Sequence, residues 1–239
     1  MQTSTTLNNR TVRAVAWLAI ISMPLAYANE VVGLLAIDFN IQMLAEPARA
    51  VTLGREAASL FQWNWPLAMF GYYLLIAPLA LLLYVRLRPG RDLAMLIFSA
   101  AGLFYLALGA AGTAVLWAVW PKLQAAYAVS SGAEQIAIAT TFGALANGVA
   151  VGLWGVAGRF AAAAWWLGIG SALRTERPRL GWLTLLLGGL SLIAVLGNLV
   201  AVGPLVGLGT QGVLLLSPLW ALWLGLDLLR NPQATEAGV

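Results

Sequence analysis

Residues 134–173 read EQIAIATTFGALANGVAVGLWGVAGRFAAAAWWLGIGSAL, with Arg159 the only basic residue among them. As one unbroken helix this stretch would be about 60 Å long, roughly twice the hydrocarbon thickness of a bilayer. Part of it must stand outside the membrane, and where it enters decides the fold. Ser131-Gly132-Ala133-Glu134 has the capping-box pattern, so a helix is expected to start there. Residues 132–147 then form an extracytoplasmic or interfacial segment, and the span proper begins near Gly148. Gly148, Gly152 and Gly155 recur at i, i+4, i+7, a stripe that suits close helix packing better than a glycine-lined passage.

Working outward, the chain has 239 residues, 61% of them hydrophobic and only 9% charged. Soluble domains carry about 25% charged residues, so a membrane protein is implied. The expected fold is all-α, a single transmembrane domain of six helices over about 14–37, 60–84, 93–119, 148–173, 180–202 and 206–229. A short extracytoplasmic amphipathic helix or two completes it, one of them within 38–59. The first run resembles a secretory signal, with Arg10, Arg13 and an Ala26-Tyr27-Ala28 cleavage pattern. The apolar run resumes at Val31 and makes a full span, which favours an uncleaved helix. Pro24, Pro66 and Pro78 fall inside spans, where neighbouring helices tolerate them. Pro121 is expected to end the third helix. Gly102, Gly109 and Gly112, and the pair Gly203 and Gly207, offer further close-packing faces.

Basic residues orient the bundle. With a cytoplasmic N-terminus, Arg10, Arg13, Arg86, Arg88, Arg91, Arg174, Arg177, Arg179 and Arg230 lie inside, and Arg49, Arg55 and Lys122 outside: nine against three. Both termini are therefore expected to be cytoplasmic. The net charge of +4 is explained by these connectors and does not point to nucleic acid. Trp63, Trp65, Trp117 and Trp120 would mark one interface, and Trp17, Trp182, Trp220 and Trp223 the other. Trp165 and Trp166 lie deeper, where each needs a packing partner or an acceptor for its N–H.

Three polar residues at membrane depth require an account. Counted along their helices, Glu30, Arg159 and Asn198 each lie about 20–24 Å from the cytoplasmic end. A charge in hydrocarbon costs about 2.5–3.5 kcal/mol on insertion scales. Three arrangements are open. Glu30 and Arg159 pair, with Asn29 and Asn198 hydrogen-bonding around them, in a polar chamber that holds a ligand. The same pair is purely structural and fixes helix register. Or Arg159 snorkels to headgroups and Glu30 is protonated at the interface. Asp227 and Arg230 read as an anchoring pair at the end of the sixth span. Asp38, Glu46, Arg49, Arg55 and Glu56 read as solvated surface of the first outer loop.

The chain contains no His and no Cys, so the usual ligands of haem, zinc, copper and iron–sulfur clusters are missing, and no metal or cofactor is expected. The one Lys, Lys122, lies in a connector, which leaves no buried Schiff-base candidate. No span carries a nucleophile–base or paired-carboxylate arrangement, and no phosphate-loop motif is present. Glu30 acting alone as a base is what remains for an intramembrane enzyme.

Three places resemble one family. They are the Arg-containing start running into the first span, the ending LLLYVRLRP at 81–89, and RTERPRLGWLTLLLGGLSLIAVLGN at 174–198. Together they resemble the DUF4386 family of six-span bacterial membrane proteins of unknown function. The resemblance implies a six-helix bundle in a bacterial cytoplasmic membrane and no particular activity. The leading expectation is a membrane subunit or scaffold that docks partner helices, or a second copy, through its Gly-rich faces. The alternative is a small transporter or ligand-binding protein using an outward-facing chamber around Glu30, Arg159 and Asn198.

Overall fold

The structure is a computed structural model that describes residues 8–40, 47–88, 90 and 92–231. Glu46, Arg91 and the 232–239 tail lie outside the described residues. Six helices long and apolar enough to cross a membrane form the chain: α1 Asn9–Ala36, α2 Arg55–Leu87, α3 Asp92–Val129, α4 Gly132–Glu176, α5 Pro178–Leu199 and α6 Gly203–Arg230. No strand occurs among the described residues. Each helix packs antiparallel on its chain neighbours, and α6 returns to α1, so the six close into a ring in chain order. From α2 to α6 short connectors dictate this order, because helices joined by few residues must lie side by side, whereas α1 reaches α2 through the longer segment 37–54.

Both described chain ends lie at one end of the bundle, with the Arg-rich connectors. The α1–α6 seam shows it. The Tyr27 hydroxyl donates to the Leu215 carbonyl at 2.8 Å, and about three turns further down Gly225 faces the backbone of Ala16. At the same end Arg177 pairs with Asp227, tying the α4–α5 connector to the foot of α6. Asp227 therefore bonds across helices and not to Arg230, three residues along its own helix. Partial burial lowers the Arg177 guanidinium from its ordinary value, and neighbouring Glu176 opposes that shift.

One helix overruns its expected limit: α3 continues through Pro121 to Val129. α4 is helical from Gly132, where the capping-box pattern places its start. Proline removes one N–H from the ladder, a loss that tertiary packing can offset. Here Trp120, beside that proline, stacks between Phe61, Trp65 and Phe142 within 5.1 Å of each ring centroid. A six-residue 3-10 turn, Pro47–Thr52, buries Ala50 and Val51 in the same cluster, and Gln124 donates to the Ala50 carbonyl at 2.6 Å. The protruding ends of α3 and α4 are held by this aromatic cap. α4 begins beside Ser131 as expected, although the Ser131 side chain makes no capping bond.

Glycines of α3 are packed from inside the bundle. Gly109 receives the Tyr73 ring and Gly102 the Trp165 ring so closely that an added Cβ would overlap each. Gly148, Gly152, Gly203 and Gly207 are the opposite case, with open space where a Cβ would project. The Trp set divides in the same way. Trp17, Trp63, Trp117, Trp182 and Trp223 face outward, while Trp65, Trp120 and Trp220 are interior.

Candidate functional site

α1 and α2 are joined by a reciprocal clasp. Asn29 Nδ2 donates to the Asn64 carbonyl at 3.0 Å, and Asn64 Nδ2 donates to the Asn29 carbonyl at 2.6 Å. Both side chains are buried. A carboxamide in hydrocarbon must find partners or carry a desolvation cost. Here each amide meets that need through the other residue's backbone. Asn29 is thus a helix–helix fastener and does not join the charges around it.

Glu30, the next residue, has its own partner. The Tyr72 hydroxyl donates to Glu30 Oε1 at 2.8 Å and lies 3.2 Å from the Leu214 carbonyl. The hydroxyl has a single proton, so its bond to Glu30 ties α2 to α1 while the α6 carbonyl only lies near it. Tyr72 reaches this position from a π-helical segment of α2, Met69–Leu74, where the chain passes Gly71. A Cβ on Gly71 would lie 2.5 Å from the Ala26 backbone nitrogen, so only glycine permits this approach of α2 to α1.

Arg159 is housed differently. Its side chain is only 8% exposed, and among the described residues its guanidinium has neither a carboxylate nor a hydrogen-bond acceptor. It follows a second π-helical segment of α4, Gly148–Gly158. Tyr73 and Tyr105 lie within electrostatic range of it, and Tyr73 is within the same range of Glu30. The two tyrosine rings meet edge to face at 5.9 Å. The expected Glu30–Arg159 ion pair is therefore not formed. Each charge interacts with Tyr73, whose ring is seated on Gly109, and not with the other.

Asn198 also has a backbone role. Its Nδ2 donates to the Gly155 carbonyl at 3.3 Å and to the Ala194 carbonyl of its own helix at 3.0 Å. The Arg159 N–H still bonds five residues back, to the Trp154 carbonyl, before α-helical spacing resumes. That change of register leaves the Gly155 carbonyl outside the helical ladder, and Asn198 supplies its donor. The amide sits one turn from Arg159 and stabilises the irregular backbone that presents it.

Beyond Arg159 runs a ladder of interior rings. Tyr105 adjoins Trp165 at 6.2 Å, Trp165 adjoins Trp166 at 4.3 Å, and Trp166 meets Trp220 at 4.5 Å. The Trp220 N–H donates to Thr184 Oγ1 at 2.8 Å, whereas the N–H groups of Trp165 and Trp166 find no acceptor among the described residues. A cavity of about 10 Å³, room for a single water, is lined by Ser22, Tyr72, Tyr105, Trp165, Trp166 and Ser217 among others. Glu30 and Arg159 do not line it; Tyr72, the partner of Glu30, and Tyr105, which interacts with Arg159, do.

Four residues of this region escape a reading by charge and depth alone: Asn64, Tyr72, Tyr73 and Tyr105. Asn64 carried a usable signal, as a second carboxamide inside an apolar run. The tyrosines carried a weaker one, Gly71-Tyr72-Tyr73 on one span and the small-residue stripe of α3 opposite. No group of three His, Cys, Asp or Glu gathers among the described residues. Compared with family models, with curated proteins and with solved structures, the chain finds no match.

Proposed function

We propose that this protein binds a small anionic ligand in the bundle interior at Arg159, as a carrier or ligand-binding membrane protein. One observation carries this: a guanidinium at membrane depth with no counter-charge among the described residues. Burying a charge without a partner is among the costlier arrangements a protein can hold, and such residues in spans tend to mark ligand pathways. Guanidinium presents a planar fork of donors suited to carboxylate and phosphate oxygens. The Tyr73 and Tyr105 hydroxyls and the π-helical segments on α2 and α4 surround it, and π-segments recur at functional sites. The basic end of the bundle is cytoplasmic in this proposal, in keeping with the positive-inside rule.

The test is thermal unfolding of the purified protein with sodium chloride, sulfate, phosphate, acetate and longer-chain carboxylates at constant ionic strength. At least one anion should stabilise the wild type, by about 2.7 kcal/mol at a hundredfold excess over its Kd. Arg159→Gln should abolish that response and Glu30→Gln should keep it. If no anion distinguishes the wild type from Arg159→Gln, the proposal fails.

A helix-docking role is favoured by a separate observation. Gly148, Gly152, Gly203 and Gly207 open outward, and Gln211 continues the last pair at the next i+4 position as an exposed carboxamide in an apolar helix. Small residues with a polar neighbour are the usual make-up of helix–helix interfaces in lipid.

A further inference from the structure

At the basic end, a cleft of about 320 Å³ opens between the start of α5 and the end of α6. Its lining is Arg177, Pro178, Arg179, Leu180, Trp223 and Asp227. We propose that this cleft binds the phosphate of an anionic phospholipid.

Charge comes first. Asp227 is the only acid lining the cleft, and its pairing with Arg177 removes the repulsion a phosphate would otherwise meet. Arg179 is exposed and has no partner among the described residues, so its guanidinium is available. A guanidinium is well matched to phosphate oxygens, which it can engage with two parallel hydrogen bonds. Arg230 is exposed one turn beyond Asp227 and extends the basic rim.

Shape and position then select a lipid over a dissolved ion. The floor is apolar, made by Pro178 and Leu180, and Trp223 stands at the rim with its ring facing outward. On the neighbouring face Arg174 stacks over Trp182 at 5.2 Å, another outward Trp. Trp beside Arg at a helix end marks headgroup depth. Away from the cleft along the two helices Leu186 and Leu219 are exposed, an apolar surface along which acyl chains can lie. Arginines in connectors are by default topological signals, which need no cleft. What exceeds that default is the half-buried Arg177–Asp227 pair, which neutralises the cleft's one acid beside an unspent Arg179 and a Trp rim. Basic pockets between helices at this depth recognise anionic headgroups.

The site is remote from Arg159, and its test does not depend on the anion proposal. Whole protein in neutral detergent is titrated with phosphatidylglycerol, phosphatidylcholine or inorganic phosphate, and lipid retention is read by native mass spectrometry alongside thermal unfolding. Phosphatidylglycerol should be retained and should stabilise; phosphatidylcholine should do neither. Arg179→Gln should weaken phosphatidylglycerol binding about fivefold, with Arg179→Lys intermediate, since one basic residue near a membrane surface contributes about 1 kcal/mol. Arg10→Gln, an exposed arginine at the same end, should leave binding unchanged. Equal retention of the two lipids overturns the proposal, as does a loss in Arg10→Gln as large as in Arg179→Gln. Stabilisation by inorganic phosphate with no further gain from the lipid would assign the cleft to a soluble phosphate and also overturn it.

Discussion

Glu30 and Arg159 both interact with Tyr73, yet their surroundings differ in kind. Around Glu30 the carboxylate takes the Tyr72 hydroxyl, and Asn29 and Asn64 exchange bonds with each other's backbone, with the Trp65 N–H beside Asn64 the exception that lacks an acceptor. Around Arg159 the polar groups are left over. The guanidinium lacks a counter-charge, and the indole N–H groups of Trp154, Trp165 and Trp166 lack acceptors among the described residues. Buried polar groups in folded proteins are paired with few exceptions, so a cluster of exceptions needs a cause. A saturated network rigidifies a seam. An unsaturated one, next to a cavity and a π-helical backbone, has the properties of a place where something binds.

The largest expected effect tests the rigid side. Gly71→Ala should destabilise by about 3 kcal/mol, because the new methyl meets the Ala26 backbone, which cannot rotate away. Gly152→Ala, where nothing lies within 4 Å, should be neutral or slightly stabilising. Reversible unfolding in mixed micelles gives both values. Similar losses at the two glycines would mean that the α1–α2 seam is no tighter than the surface of α4.

How much of this was legible beforehand can be traced residue by residue. Six spans follow from hydropathy, since hydrocarbon thickness sets a minimum length that the apolar runs meet. The start of α4 was legible from Ser131 and Glu134, but the end of α3 was not. Its overrun past Pro121 depends on Trp120, Phe61 and Phe142 meeting across three helices, and packing between distant segments leaves no periodic mark. Position along the helix could be counted for Glu30, Arg159 and Asn198, because rise per residue is fixed. Facing could not. A helix that switches between α and π geometry changes the azimuth of every later residue, so Arg159 cannot be aimed by counting from Gly148. The glycines of α3 could be recognised as small, but not that the Tyr73 ring would fill one of them.

A middle-sized effect contrasts the two regions directly. Asn64→Leu removes a donor from the Asn29 carbonyl and should cost about 1 kcal/mol, near the range measured for interhelical bonds in lipid. Arg159→Met removes a charge that no described carboxylate compensates. It should leave the ligand-free protein as stable as the wild type or more so, because replacing a buried ion by an apolar side chain of similar volume is often stabilising. Measured together, the pair separates a residue kept for folding from one kept at a cost to folding. A loss at Arg159→Met larger than at Asn64→Leu would reverse that assignment and make the arginine structural.

The smallest expected quantity is a coupling. Glu30→Gln, Arg159→Gln and the double variant form a cycle whose interaction energy reports whether the two charges act as a pair. A direct ion pair would give strongly non-additive losses, since breaking either side strands the other. With no ion pair joining them, only a through-space contribution remains, and neutral glutamine keeps the bulk of both sites. The losses should therefore add to within about 0.5 kcal/mol. Repeating the cycle with Tyr73→Leu sharpens the point. Removing the ring opens the space over Gly109 and lets the arginine approach the carboxylate, so the coupling should rise. Strong coupling with Tyr73 in place would mean that the two regions are one network, and the contrast between a saturated seam and an open site would no longer hold.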